Sequence, residues 1–181
     1  MTKANSKKIW WGITLLYTFF IYSTLGVASK IWDTLDNLLG GRLVAILYII
    51  YSALAISTFI YILIVKREKA LKKYILFFLL TVIFFIIIKS VEYPVEKIHL
   101  SEYGLLGVFL YNALKIDLDR YSKKLYLYGF LTCLIIGFID EIIQWFLPTR
   151  VFDWRDVFLN GVGGMITLLI IRFSILKEPV Y

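Results

Sequence analysis

Apolar residues in this chain fall into long unbroken runs separated by short clusters of charge, rather than into the stripes of a soluble amphipathic helix. A backbone inside hydrocarbon must pair all its polar groups, and roughly 20 apolar residues cross the core as a helix, so each long run reads as a membrane helix. Six are expected, approximately from Ile9 to Val27, Arg42 to Val65, Tyr74 to Ile88, Leu100 to Leu114, Leu125 to Leu147 and Asp156 to Ser174. The third and fourth are short at about 15 residues each, which leaves extension into the segment from Lys89 to Ile98, a different tilt or a partial crossing as open readings, with five or seven helices as the fallback. Between the first two runs, Ile31, Trp32, Leu35, Leu38 and Leu39 share one side of a helical wheel opposite Asp33 and Asp36. That pattern predicts a short amphipathic segment on the outer surface, an anchor rather than a lid.

The fold class is therefore an all-α polytopic membrane helix bundle, read as one integral membrane domain over residues 1–181 because no internal repeat, low-complexity stretch or linker divides it. A basic start precedes the first run, and Gly26-Val27-Ala28 loosely fits a small-x-small cleavage site. A run of about 19 residues is too long for the usual signal-peptide core, so retention as a helix is expected.

Composition supports the reading. Of 181 residues, 60% are hydrophobic and 18% charged, and mean hydropathy is +0.79, which excludes both a water-soluble globule and a disordered chain. The single Cys133 lies inside an apolar run and reads as a buried, inert thiol. A net charge of +7 without a water-exposed basic module argues against a nucleic-acid partner. With the N-terminus inside, Lys3, Lys7, Lys8, Lys66, Arg67, Lys69, Lys72, Lys73, Lys115, Arg120, Lys123, Lys124, Arg172 and Lys177 are cytoplasmic, 14 of the 20 cations. Six crossings with both termini cytoplasmic satisfy this asymmetry. Only four acids, Glu68, Asp117, Asp119 and Glu178, share that side, and the other nine lie outside or in outer halves of helices. Acids contribute little to orientation, so the outer face has another use for carboxylates.

Charged residues inside a membrane helix cost about 2.5–3.5 kcal/mol each at the centre and should point inward with a partner or a task. The fifth run holds Asp140, Glu141 and Gln144 before its outer end at Leu147, roughly 5–11 Å below the surface at about 1.5 Å rise per residue. Asp140 and Gln144 share a face, and Glu141 is turned about 100° away. The sixth run opens with Asp156 and Asn160, again one face, after a tight loop carrying Arg150, Asp153 and Arg155. The only histidine, His99, starts the fourth run from the same side, with Glu102 and Tyr103 one turn on. These residues are expected to meet in one outer basin. Taken singly, His99, Glu102 and Tyr103 also fit ordinary interfacial positions, Asp153 a helix cap, and Asp156 a first-turn acid. Adjacent Asp140 and Glu141 have no such local explanation. The run Gly161, Val162, Gly163, Gly164 reads first as close helix packing.

There is no His-Glu-x-x-His, no Gly-x-Ser-x-Gly and no phosphate-binding Gly-rich Lys-Ser/Thr loop, and one histidine makes a zinc site unexpected. What remains is oxygen chemistry. Asp140, Glu141, Asp156 and Asn160 are ligand types suited to Mg²⁺, Mn²⁺ or Ca²⁺; alternatively a carboxylate acts as base while His99 shuttles protons. Arg150 and Arg155 suit a phosphate. Such a basin at headgroup depth fits a phosphorylated or polyprenyl-linked lipid of the outer leaflet.

The stretch Glu96-Lys97-Ile98-His99-Leu100-Ser101-Glu102-Tyr103, the stretch Gly137-Phe138-Ile139-Asp140-Glu141-Ile142-Ile143-Gln144 with the following Arg150, and Asp153-Trp154-Arg155-Asp156 running on to Asn160-Gly161-Val162-Gly163-Gly164 closely resemble the VanZ-like family in order and spacing. The resemblance covers roughly residues 85 to 172, leaving two helices before it, and Glu96 stands where the family usually has Asp. It implies a bacterial plasma-membrane protein, with a namesake linked to resistance to the glycopeptide teicoplanin, in a wider group of membrane proteins thought to act on lipid headgroups. It marks His99, Asp140, Glu141, Gln144, Arg150, Asp156 and Asn160 as motif positions.

Three functions are expected to compete. In the first, an extracytoplasmic site binds and modifies a lipid headgroup or lipid-linked wall precursor by attack at a phosphoester. His99, Asp140 and Glu141 are then the catalytic candidates; Glu102, Tyr103, Gln144, Arg150, Asp156 and Asn160 hold substrate; and Asp140, Glu141 and Asp156 are the metal candidates. In the second, the protein is a non-catalytic shield that binds glycopeptide or its target. The third, a cation-coupled transporter, is disfavoured because Leu131 to Ile136 and Ile166 to Ile171 leave no polar path.

Overall fold

The structure, a computed structural model, describes residues 2–94, 96–148 and 150–176. The expected Lys177 and Glu178 of the tail lie outside them. The described residues form seven helices: α1 (Lys3–Thr24), α2 (Ala28–Leu38), α3 (Leu43–Ile60), α4 (Leu71–Ser90), α5 (Glu96–Leu114), α6 (Lys123–Trp145) and α7 (Trp154–Ile170). Helices α3 and α7 each run on through one π-helical turn, Tyr61–Val65 and Ile171–Ile175.

The amphipathic segment is α2, bent 75° from α1. It buries Trp32 and leaves Ile31, Leu35 and Leu38 exposed, so its apolar face is divided between the bundle and the surroundings. Gly40 and Gly41, at φ +62° and +75°, take the left-handed turn that L side chains resist, and Asp36 Oδ1 then accepts from Leu43 N at 3.0 Å to start α3.

The two runs expected to be short form helices of 20 and 19 residues. Lysines that look like boundaries in the sequence lie within the helices, because their alkyl stems pack and their ammonium groups reach carbonyl oxygens. Lys73 is buried, donating to Glu68 Oε2 at 2.5 Å and to Leu176 O at 2.7 Å. Lys97 is buried too, and donates to Ile88 O at 2.8 Å and to Val91 O, closing the open end of α4.

Among the described residues four helices are long and apolar enough to cross a membrane: Leu43–Val65, Leu71–Ser90, Lys123–Trp145 and Trp154–Ile175. The bent α1–α2 pair passes the same test together, giving five. The remaining expected crossing, the fourth run, is α5, which does not pass and carries Glu96, Lys97 and Glu102 within its first two turns. Its polarity follows from its place: α5 packs against α7, α1 and α6, and Leu100, Tyr103, Leu106 and Leu110 are wholly buried. Large apolar side chains such as Leu15, Leu16 and Phe19 on α1 and Phe78 on α4 are instead exposed, as a lipid-facing surface requires.

Small residues set the α5–α6–α7 spacing. A Cβ on Gly107 would meet Gly164 O at 2.9 Å, and one on Gly137 would meet Asn160 Cβ at 2.8 Å. At Gly163 the Leu100 backbone, and at Gly164 the Cys133 side chain, occupy the same kind of space. The Gly161–Gly164 stretch is thus a packing seam, and Cys133 is the buried thiol of its wall.

Basic residues gather at one end. Lys7 pairs with Asp117 at 2.5 Å, joining the start of α1 to the α5–α6 loop, and Lys73 joins the α3–α4 loop to Leu176 after α7. The opposite end holds the start of α5, the end of α6 and the start of α7.

Candidate functional site

At that opposite end the seam between α5, α6 and α7 is lined by polar groups instead of glycine and leucine. Asp140 and Asn160 are 0% exposed, Glu141 1%, Gln144 4% and His99 7%.

The acids of α6 are held first by their own helix. Gln144 Nε2 donates to Asp140 Oδ1 at 3.2 Å, one turn back, and to Glu141 Oε1 at 3.1 Å. Although successive helix positions diverge by about 100°, this one amide spans both carboxylates. The second oxygen of Glu141 accepts from Asp153 N at 3.0 Å, fixing the loop that precedes α7. The second oxygen of Asp140 faces α5, where Tyr103 Oη donates to it at 3.0 Å.

His99 completes this side. Its Nδ1 stands 3.3 Å from Glu102 Oε2 and 3.9 Å from Asp140 Oδ2. Among the described residues Nδ1 makes no hydrogen bond, and its nearest neighbour is the Glu102 carboxylate, an ion pair when the imidazole is protonated. Asn160, pressed against α6 beside Gly137, has both amide atoms, Oδ1 and Nδ2, buried and unpartnered. Buried polar atoms are nearly always satisfied. These three atoms, on two facing helices, are the basin's unspent hydrogen-bonding capacity among the described residues.

Around the rim, Asp153 caps α7 by accepting from Arg155 N at 2.7 Å. The Arg155 guanidinium forks onto Asp153 Oδ2 at 2.8 and 2.7 Å, and this hydrogen-bonded partner holds the Asp153 carboxyl below the usual carboxylate range. Arg155 is committed there. Arg150, half-buried in the same loop, makes no ion pair among the described residues, and with His99 it lies within electrostatic reach of half-buried Asp156.

The expected residues thus gather on three helices: His99, Glu102 and Tyr103 from α5, Asp140, Glu141 and Gln144 from α6, and Asp156 and Asn160 from α7, with Arg150 at the rim. Among the described residues no three His, Cys, Asp or Glu side chains are grouped so as to hold a metal ion. Between Asp140 and Glu141 sits the donor amide of Gln144, the wrong polarity for a shared cation.

Three tyrosines that sequence reasoning passed over frame the basin. Tyr17 Oη donates to Glu102 O at 3.3 Å and Tyr22 Oη to Ile136 O at 3.0 Å, pinning α1 to α5 and α6. Tyr51 of α3 donates to Lys97 O at 3.3 Å and pairs with Ser101 Oγ at 3.1 Å. The available signal was the phenol itself, since a hydroxyl in an otherwise apolar span needs a partner.

A family model described as VanZ/LLP1 matches residues 15–176, which takes in α2, α3 and most of α1 as well as the motif-bearing helices. No curated protein and no solved structure matches the chain.

Proposed function

From the premise that this chain belongs to the VanZ/LLP1 family, we propose that it is a multi-pass protein of the bacterial plasma membrane whose basin binds and modifies the headgroup of a lipid or lipid-linked wall precursor. The observation that carries this reading is the set of unpartnered buried atoms, His99 Nδ1 and Asn160 Oδ1 and Nδ2, beside a fixed carboxylate, Asp140. The positive-inside tendency supports a cytoplasmic position for the end bearing Lys7, Lys73 and Lys124, and with it an outer-face position for the basin.

The roles divide by what each group is already bonded to. Asp140, with one donor on each oxygen, is fixed facing His99. His99 is the proton carrier: it takes a proton from an attacking hydroxyl or water and returns it to the leaving oxygen of the phosphoester. Arg150, which makes no ion pair among the described residues, receives the phosphate. Asn160 orients the head through its paired donor and acceptor. Glu141 is a positioning residue, since both its oxygens are spent on Gln144 and Asp153.

A non-catalytic reading draws support from the same hydrogen bonds: a site whose carboxylates are this fully engaged also suits a binding module that shields wall precursors from a glycopeptide. The two separate in the lipid composition of cells. Turnover predicts a lipid species that changes with the wild-type chain and reverts with His99→Ala and with Asp140→Asn. An unchanged profile in all of them, with the resistance phenotype intact, removes catalysis.

A further inference from the structure

We propose that the apolar cavity beside the basin holds one hydrocarbon chain of the lipid whose head occupies the basin, with Glu102 as the residue common to both. The proposal rests on the reading above for the head, and on the cavity alone for the chain.

The cavity has a volume of about 690 Å³ and lies between α3, α4, α5 and α7, within the roughly 300–1,000 Å³ of small-molecule sites. On α5 it is lined from Ile98 to Val108, which at about 1.5 Å per residue makes it roughly 15 Å deep along the helix. Its one charged lining residue, Glu102, stands with Tyr51 and Ser101 at the basin end, and beyond them the walls are aliphatic and aromatic apart from the hydroxyls of Thr58, Thr81 and Thr167. Glu102 lines this cavity and also sets its carboxylate 3.3 Å from the unpartnered His99 Nδ1. A polar head with an apolar tail fills both volumes at once.

Access is lateral. Ile50, Leu54 and Leu105 line the cavity and are also exposed on the lipid-facing surface, so a chain can enter from the bilayer without crossing a polar barrier. By contrast Phe77 and Ile166 line it but are buried, each 6% exposed. Lipid that merely coats the protein does not reach them.

The test uses the full chain in vesicles of phosphatidylethanolamine and phosphatidylglycerol carrying a trace of phospholipid with a photoactivatable diazirine in one acyl chain. Adducts are mapped by mass spectrometry. The expected result is label on Phe77 and Ile166 in the wild type, lost in Ala55→Trp and in Thr81→Phe, which fill the cavity from two different walls, while label on exposed Leu127 and Ile135 of α6 persists. Label confined to exposed positions in the wild type overturns the proposal, whether or not either variant folds, and so does label at Phe77 and Ile166 that neither folded variant reduces. Repeating the experiment with His99→Ala separates the two readings. Cavity label in the wild type that is indifferent to headgroup leaves the chain site standing and removes the head, whereas a wild-type headgroup preference that falls in His99→Ala without any cavity label removes the chain site.

Discussion

His99 Nδ1 lies 3.9 Å from Asp140 Oδ2, across the interface between α5 and α6. That same oxygen accepts from Tyr103 Oη at 3.0 Å, and Tyr103 follows His99 by four residues on the same helix. The histidine and its carboxylate are thus held at a fixed separation by a residue that belongs to the histidine's own helix face. At that separation Nδ1 is not hydrogen-bonded to Asp140, and its nearer acid is Glu102 at 3.3 Å.

Neighbouring acids on α6 should respond differently to neutralisation. Glu141→Gln retains an oxygen for Asp153 N and should keep headgroup selectivity, whereas Asp140→Asn places an amide where Tyr103 and Gln144 donate and should lose it. Glu141→Ala, which strands Asp153 N and one contact of Gln144, should cost about 1–3 kcal/mol of stability. Lipid extraction from the purified variants and thermal unfolding in detergent check both. Equal loss of selectivity in Glu141→Gln and Asp140→Asn would mean that Glu141 touches the ligand.

Packing along the α5–α7 seam should show as a contrast between glycines. A methyl on Gly107 meets a backbone oxygen, Gly164 O, at 2.9 Å, whereas one on Gly12 meets nothing within 4 Å. Gly107→Ala should destabilise by about 1–3 kcal/mol, and Gly12→Ala should be neutral or stabilise by up to about 1 kcal/mol. Similar unfolding temperatures for the two variants would contradict the close approach.

At the basic end, Glu68 accepts from Lys73 Nζ at 2.5 Å and from the Lys69 and Ala70 amides at 3.1 Å each. Lys73, followed by those amides, holds its carboxyl below the ordinary value of 4.5. A carboxyl depressed in the folded state contributes stability above its unfolded value and loses it as pH falls through the folded value. The stability difference between the wild type and Glu68→Gln should therefore be full at pH 7 and shrink as pH drops below 4.5. A difference independent of pH would exclude the ion pair as its source.

Much of this architecture is legible as hydrophobic runs, because a spanning helix must satisfy its own backbone and so needs length and apolarity above all. Where the runs mislead, the cause is a buried cation: Lys73 and Lys97 look like helix limits but hide their ammonium groups on carbonyls. Asp140, Gln144 and Asn160 are legible as a site because polar groups at that depth need a purpose. The tyrosine frame is not, since nothing in the spacing of Tyr17, Tyr22 or Tyr51 says which carbonyl each will meet. Nor is the bond from Asp153 N to Glu141, which exists only because the α6–α7 loop folds back.

The most direct test is the headgroup composition of lipid that stays with the purified protein, compared among the wild type, His99→Ala, Asp140→Asn and Asn160→Leu. One headgroup class should be enriched over the surrounding membrane in the wild type and fall to the bulk proportion in all three variants, with their unfolding temperatures showing that they remain folded. Bulk proportions in the wild type, or an enrichment that folded variants leave untouched, would contradict a headgroup site built from these three helices.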